Sequence, residues 1–478
     1  MQSRLPFDDV AWEQSDNVYD EWRTKLLKPE NLTEIALFVA KYHLGTPVEV
    51  RTPLTGAYNV AVVIDFRGGG STLIRFPKPG KVMFPEEKVR NEVAVMRYIQ
   101  AHTSIPVPFI LHWGTKEQSP CGLGPFIIME YVDHDCDISD ALNTPGIPYE
   151  ERPILDPAIG EEKLRKLYGQ ISDVLLQLST LSLSRIGSLI QDDEEDTWSV
   201  AGRPLTSNMN EIVQLGTLPR SKLPDKSATF ETSSSYLTTL ANLHLRHLTH
   251  QRNDAIDSAS DCRHKYIARY LFRKLSLKGG LSHPEHNSGP FKLWCDDQRP
   301  ANMLVNSNLE LVAVIDWEFT YSAPLEFSHA PPWWLLIEQP KYWPDGIDEW
   351  VTAYEPRLQT FLAVLRERED AFIQEGRLED LQRLSVPMQE SWESGDFWVV
   401  YAARKSFAFD AIFWKYLDAR FFGPMAGLDG DGWERRAGLL DEEEIMEIDS
   451  FVDRKVDELK DRVLAWEPKE RLGQVTPE

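Results

Sequence analysis

Cysteine is scarce in this sequence, a basic surplus is absent, and no apolar run is long. Only four cysteines occur in 478 residues (Cys121, Cys136, Cys262 and Cys295), and no two of them form a C-x-x-C pair. That spacing offers neither a zinc framework nor a disulfide scaffold, and it fits a reducing compartment. The formal net charge is −24. A chain this acidic lacks the Lys and Arg surplus that grips a phosphate backbone, so no nucleic acid and no membrane is expected as a partner. The opening "MQSRLPFDDVAWEQ" has no apolar signal core, and no later run nears the ~20 residues that span a bilayer. A cytoplasmic protein is the expectation.

What is present is ordinary for a globular chain. Hydrophobic residues make up 42% and charged residues 26%, with 15 Trp, enough for one large or two to three smaller domains. Residues 15–45 read as two helices, the second, "NLTEIALFVAKYHLG", closing at Gly45. The texture then changes. "VEVRTPLTGAYNVAVVIDFRGGGSTLIRFP" alternates as three antiparallel strands would, broken at "TGAYN" and "RGGGS". "PEEKVRNEVAVMRYIQAHT" predicts a helix with Val89, Val93, Met96 and Ile99 on one side, and "GPFIIMEYV" a buried strand running into a connector. From about residue 155 the pattern is mainly helical. The stretch 185–235, with "DDEEDTW" and "TSSS", is expected to be an irregular surface excursion. One exception interrupts the helices: "FKLWCDDQRPANMLVNSNLELVAVIDWEF" predicts two strands, 303–305 and 311–315, around the turn "NSNLE".

That hairpin carries the chemistry. A strand leads into Asp297, and Asp316 stands where the apolar run "LVAVI" gives out. An acid there is either a strand-end cap or a group aimed into a cleft. Phosphoryl transfer from ATP needs one carboxylate to accept the hydroxyl proton and an amide plus a second carboxylate for Mg²⁺. It also needs a cation to meet charge on the moving group. Mg²⁺ takes one or two carboxylates plus phosphate oxygens rather than a protein cage. A short loop and a neighbouring strand end can supply that set.

"DQRPAN", Asp297 to Asn302, followed by "VIDWE" ending at Glu318, resembles the catalytic loop and metal-binding aspartate of the kinase-like fold. "TGAYNV", "LIRFP", "NEVAVMRYI", "TSIPVP" and "GPFIIMEY" precede it in the order of the aminoglycoside phosphotransferase-like family. Over about residues 45–420 the wording is similar to that family's filamentous-fungal branch. The resemblance implies an α+β, protein-kinase-like bilobal fold. Its parts would be an N-terminal helical extension (1–45), a small antiparallel-sheet nucleotide-binding lobe (46–132), a larger, mainly helical catalytic and substrate lobe (133–425) and a C-terminal helical extension (426–478). It implies Asp297 as the base, Arg299 facing the γ-phosphate, and Asn302 and Asp316 as metal ligands. Gly56, Tyr58 and Asn59 would cover the phosphates. Arg75 would take the place of the phosphate-binding lysine, with Glu92 as its ion-pair partner, and the Glu130 carbonyl and Val132 amide would address adenine. ATP (or GTP) and Mg²⁺ are implied, with a small-molecule hydroxyl as acceptor.

Cys295 stands where the family has histidine and Asp296 where it has glycine. A second reading therefore stays open: a catalytically weak or inactive kinase-fold protein that binds a nucleotide or a partner. Only six residues separate Asp316 from Ala323, too few for a peptide-positioning segment, which argues against a protein substrate. Asp296 is expected to be a solvated or capping neighbour. "PPWWLL" (331–336) with Trp392, Glu393, Asp396, Trp398, Asp410 and Trp414 would suit an amine-bearing, cationic acceptor, although most of these aromatics are expected in the core. Asp410 interrupts "SFAFDAIFW", and buried there it needs a partner. His244, His247 and His250 follow helical spacing with no acidic ligand and read as a solvated or partly packed face.

Overall fold

The computed structural model describes residues 7–148, 151–192, 197–424, 433–464 and 466. Parts of the two expected terminal extensions, and residues 193–196 of "DDEEDTW", lie outside the described residues. Two helices come first, α1 (Asp9–Leu26) and α2 (Pro29–Val39). Asp8 caps α1 by accepting the Ala11 N–H at 3.0 Å, and Pro29 opens α2, where a missing N–H costs nothing. The second helix stops at Val39, short of Gly45.

Strands β1 (Pro47–Val50), β2 (Leu54–Thr55), β3 (Asn59–Phe66) and β4 (Ser71–Pro77) follow, then α3 (Pro85–His102), β5 (Ile110–Gly114) and β6 (Phe126–Glu130). They form one antiparallel sheet in the order β1-β3-β4-β6-β5, with β2 also pairing β3. The β3–β4 reversal runs through Gly68, Gly69 and Gly70, all at positive φ (102°, 103° and 85°), which glycine adopts without a Cβ clash. Strand β5 was not expected. Its five residues follow "IPVP" and are too few to display an alternation of their own.

Both faces of this sheet are covered, for opposite reasons of pattern. Val89, Val93, Met96 and Ile99 of α3 are at most 2% exposed and meet Ile127 and Met129 of β6. On the other face Val62, Ile64, Ile74, Phe76 and Ile128 pack against Leu26, Ile35 and Val39 of the first two helices. Each such side chain contributes about 1.5–3 kcal/mol on burial.

The larger lobe is mostly helix: β7 (Cys136–Asp137), α4 (Ile138–Leu142), α5 (Glu161–Thr180), β8 (Ser188–Asp192), β9 (Thr197–Gly202), α6 (Ser207–Gln214), α7 (Ser233–His250) and α8 (Ala259–Leu277). Then come β10 (Lys292–Cys295), β11 (Met303–Val305), β12 (Leu311–Val314), β13 (Thr320–Ala323), α9 (Leu325–His329), α10 (Ile347–Gln374), α11 (Ser385–Ser394) and α12 (Asp396–Arg404). A small antiparallel sheet thus sits beside a large helical body, the α+β bilobal architecture. Among the described residues no helix is long and apolar enough to cross a membrane.

Two expectations fail here. The stretch 185–235 is not an irregular excursion: β8 and β9 pair antiparallel, and all but one residue of α6 is buried. Its polar residues are satisfied internally, as when Asn210 accepts the Met83 N–H at 2.7 Å and donates to the Lys81 carbonyl at 2.8 Å. Of the three histidines expected on a solvated or partly packed face, His250 is half-buried as expected, but the other two are core. His244 and His247 are 0% and 2% exposed, against Phe409 and Phe407, and burial pushes both imidazoles down, His244 to about 3.

Candidate active site

Asp297, Asn302 and Asp316 are far apart in pattern but lie on two segments stitched side by side. β10 pairs with β13 and β11 with β12, so the loop 296–302 and the crossing 315–319 leave adjacent strands together. The Ile315 N–H donates to the Asn302 carbonyl at 2.8 Å, and the Asp296 N–H to the Phe319 carbonyl at 3.2 Å. Cys295 adds an Sγ contact to the Glu318 carbonyl at 3.4 Å. Both Asp316 and Phe319 have positive φ (56° and 55°), a conformation tolerated by Asp and costly for Phe. The crossing is held there by its neighbours.

The Asn302 amide donates to the Asp297 carbonyl at 2.7 Å, which fixes its orientation and leaves its Oδ1 without a partner among the described residues. Asp297 keeps 26% of its side chain exposed, with Arg299 Nε 3.6 Å away. Burial raises its carboxyl above the ordinary range, with Arg299 and Lys405 opposing and Glu318 adding. Asp316, 31% exposed, is pushed up to about 7 by burial and by Glu318 and Glu92, against Arg75.

Behind these groups runs a chain of buried charges. Arg75 of β4 pairs with Glu92 of α3 on one side and Asp316 on the other. Lys88, four residues before Glu92 on the same helix face, pairs with Glu318 and lies 3.8 Å from Glu92. It also donates to the Asn59 Oδ1 at 2.8 Å, while the Asn59 amide donates to Glu318 at 2.9 Å. Both ends of the Asn59 side chain are therefore committed to Lys88 and Glu318. Lys78 holds the neighbouring loop through the Gly56 carbonyl, and Tyr58 is buried edge-on to Phe319. Glu130 and Val132 sit at the exit of β6. The Glu130 N–H donates to the Phe109 carbonyl at 3.0 Å, and the Val132 carbonyl is 2.9 Å from His134 Nδ1. Lys88 and Glu318 were missed in the sequence, although the i, i+4 spacing of Lys88 and Glu92 was a legible signal.

Asp296 is neither solvated nor a simple cap. Its side chain is 2% exposed and accepts from Arg404 Nη2 at 2.8 Å, Trp294 Nε1 at 3.0 Å and the Ser207 N–H at 3.1 Å. A buried carboxylate needs that many donors. It joins the loop to α6 and α12, and Asp297 is the member of the pair left open.

The carboxylates expected to greet an amine are engaged elsewhere. Asp410 pairs with Arg269, Asp396 with Arg420 and His283, and Glu393 accepts from Gln389. None of them lines a cavity beside the loop. Two cavities do adjoin it. One, about 70 Å³, is walled by Trp294, Trp333, Trp334 and Tyr401 with Gln298, whose side-chain amide is buried without a hydrogen-bond partner among the described residues. The other, about 180 Å³, opens between Tyr58 of the small lobe and Arg299, Trp333, Lys341 and Lys405 of the large one.

No grouping of three or more His, Cys, Asp or Glu side chains suited to a metal occurs among the described residues. The donors present, a free amide oxygen on Asn302 and the exposed edge of Asp316, suit an ion that completes its shell with phosphate oxygens.

No family model and no curated protein matches the chain. Among solved structures it is similar to an aminoglycoside phosphotransferase in complex with AMP-PNP and hygromycin B, at 14% identity over 80% of this chain and 98% of that one, TM-score 0.40. It is similar to an ethanolamine kinase of Plasmodium vivax at 12% identity over 98% and 97%, TM-score 0.43. A macrolide 2′-phosphotransferase type I aligns at 11% identity over 84% and 99%, TM-score 0.41.

Proposed function

We propose that this chain is an ATP- and Mg²⁺-dependent phosphotransferase acting on a hydroxyl of a small molecule. The observation that supports the reading is the stitched pair of segments: Asn302 is bonded to the Asp297 carbonyl and, through its own carbonyl, to Ile315 beside Asp316, while Arg299, Pro300 and Ala301 of the same loop line a cleft between the lobes. Asp297 accepts the proton of the acceptor hydroxyl as its oxygen forms a bond to the γ-phosphorus. The bond from that phosphorus to the bridging oxygen breaks, and ADP leaves. Arg299, beside Asp297 and lining the cleft, meets the charge on the transferred group. Asn302 and Asp316 would hold Mg²⁺, which when bound neutralises phosphate charge. Arg75, clasped by Glu92, keeps a cation beside the phosphates, and the exit of β6 at Glu130 and Val132 receives the adenine (or guanine) ring.

The second reading, a weak or inactive kinase fold, has one observation in its favour: Arg75 already occupies an oxygen of Asp316. ATP consumption measured across small alcohols and amino-alcohols separates the two. Stimulated turnover in the wild type, lost in Asp297→Asn with nucleotide binding intact, supports transfer. Nucleotide binding with no turnover for any acceptor supports the alternative.

A further inference from the structure

The 180 Å³ cleft contradicts the charge of the whole molecule. The chain carries −24, yet this wall presents Lys81, Arg152, Arg299, Lys341 and Lys405 against only Glu211 and Glu338. Several of these charges are already matched. Lys81 pairs with Asp16, Arg152 with Glu338 at 3.0 Å, and Arg299 faces Asp297. Lys341 and Lys405 are different: neither has an ion pair among the described residues.

Their surroundings make that costly. Lys405, at the end of α12, is only 9% exposed; it feels the Asp297 carboxylate but makes no ion pair with it, and a buried ammonium so weakly answered is disfavoured. Lys341 lies over the ring of Tyr342 at 4.6 Å, with the guanidinium of Arg152 at 3.8 Å from the same ring. A ring can hold two cations in place but cannot neutralise them. Burial holds the Lys341 ammonium down to about 8, with Glu211 opposing and Lys405 and Arg152 adding to the shift. Glu211 is the one remaining carboxylate on this wall, and it too has no ion pair among the described residues. Two lysines therefore share one acid on the wall of a partly enclosed cleft, where a fixed charge acts more strongly than in open water.

We propose that Lys341 and Lys405 form a subsite for an oxyanion, so that the acceptor bears a carboxylate or a phosphate besides its hydroxyl. The inference rests on the phosphotransfer reading for the hydroxyl, but not for the anion. It reverses the amine-bearing acceptor expected from the sequence.

Matched three-carbon and two-carbon probes test it: glycerol, ethanolamine, glycerate and glycerol 3-phosphate. The thermal unfolding midpoint is titrated with each, in matched chloride, with and without a non-hydrolysable ATP analogue. Glycerate or glycerol 3-phosphate should raise the midpoint, and the better of the two identifies the anion as carboxylate or phosphate. In Lys341→Gln/Lys405→Gln the same rise should need about tenfold more anion or disappear, the scale of a lost charge-assisted contact. Lys405→Arg should retain most of it. Ethanolamine acting as well as the anions, no anion acting at all, or a double variant that responds as the wild type does would each overturn the proposal. The nucleotide-free titration separates the two ideas. An anion response lost in the double variant stands even in a chain that never consumes ATP. Turnover driven only by ethanolamine or glycerol sinks the anion subsite and leaves the transferase reading intact.

Discussion

Replacing Lys88 by methionine tests the buried charge chain directly. The ammonium and its two carboxylates, Glu318 and Glu92, are 1–2% exposed, and methionine fills the space without charge. Glu318 is left with the Asn59 amide, and Arg75 must serve Glu92, Asp316 and the residual field of Glu318. Breaking a buried pair by removing one partner costs about 3–5 kcal/mol, a large share of the roughly 5–15 kcal/mol that holds a domain folded. The urea midpoint at neutral pH should fall accordingly. The pH dependence gives a second readout. Burial alone would raise the Glu318 carboxyl, but Lys88 and Arg75 more than reverse this and hold it below the usual range. A depressed native value stabilises the fold above the unfolded value of about 4.3, and that stability is lost as pH falls through the native value. Without Lys88 the carboxyl moves up and protonates earlier, so the deficit of the variant should shrink between about pH 7 and pH 4. Adding Glu318→Gln should restore much of the loss. A deficit under about 1 kcal/mol, the scale of an exposed pair, or one independent of pH, would refute the reasoning.

Three further outcomes follow from the same geometry. The acid limb of kcat/KM should lie above the ordinary aspartate value of about 3.9, because burial raises Asp297, and Arg299→Gln should move it further up by removing an opposing charge. Asp296→Ala strands the buried Arg404 and should cost about 3–5 kcal/mol in urea unfolding, whereas Asp297→Asn, at a partly exposed site, should stay within about 1 kcal/mol of wild type. A chelator should abolish turnover, and Asp316→Asn should raise the Mg²⁺ needed for half-maximal rate about tenfold or more.

Much of the fold was legible because it rests on local pattern. The alternation of β3 and β4, the apolar face of α3 and the turn between β11 and β12 each recur within a few residues, so periodicity alone locates them. β5 and the β8–β9 hairpin escaped because short or polar strands show little periodicity until partners cover them. The resemblance of the loop and the following strand end to the kinase-like fold singled out Asp297, Asn302 and Asp316, and the helix spacing of Lys88 and Glu92 was a legible signal as well.

What the sequence by itself determined is the set of chemical groups: which carboxylates, amides and cations exist, and which local elements carry them. Only the tertiary structure decided which of those groups are consumed. It turned Asp296 inward to Arg404, Asn59 to Lys88 and Asp410 to Arg269, and left Lys341 and Lys405 facing a cleft without an acid of their own. In these three cases the partners stand 108, 29 and 141 residues apart in the chain. Local pattern tells that a residue is charged, and the packing of distant elements tells whether that charge is already answered.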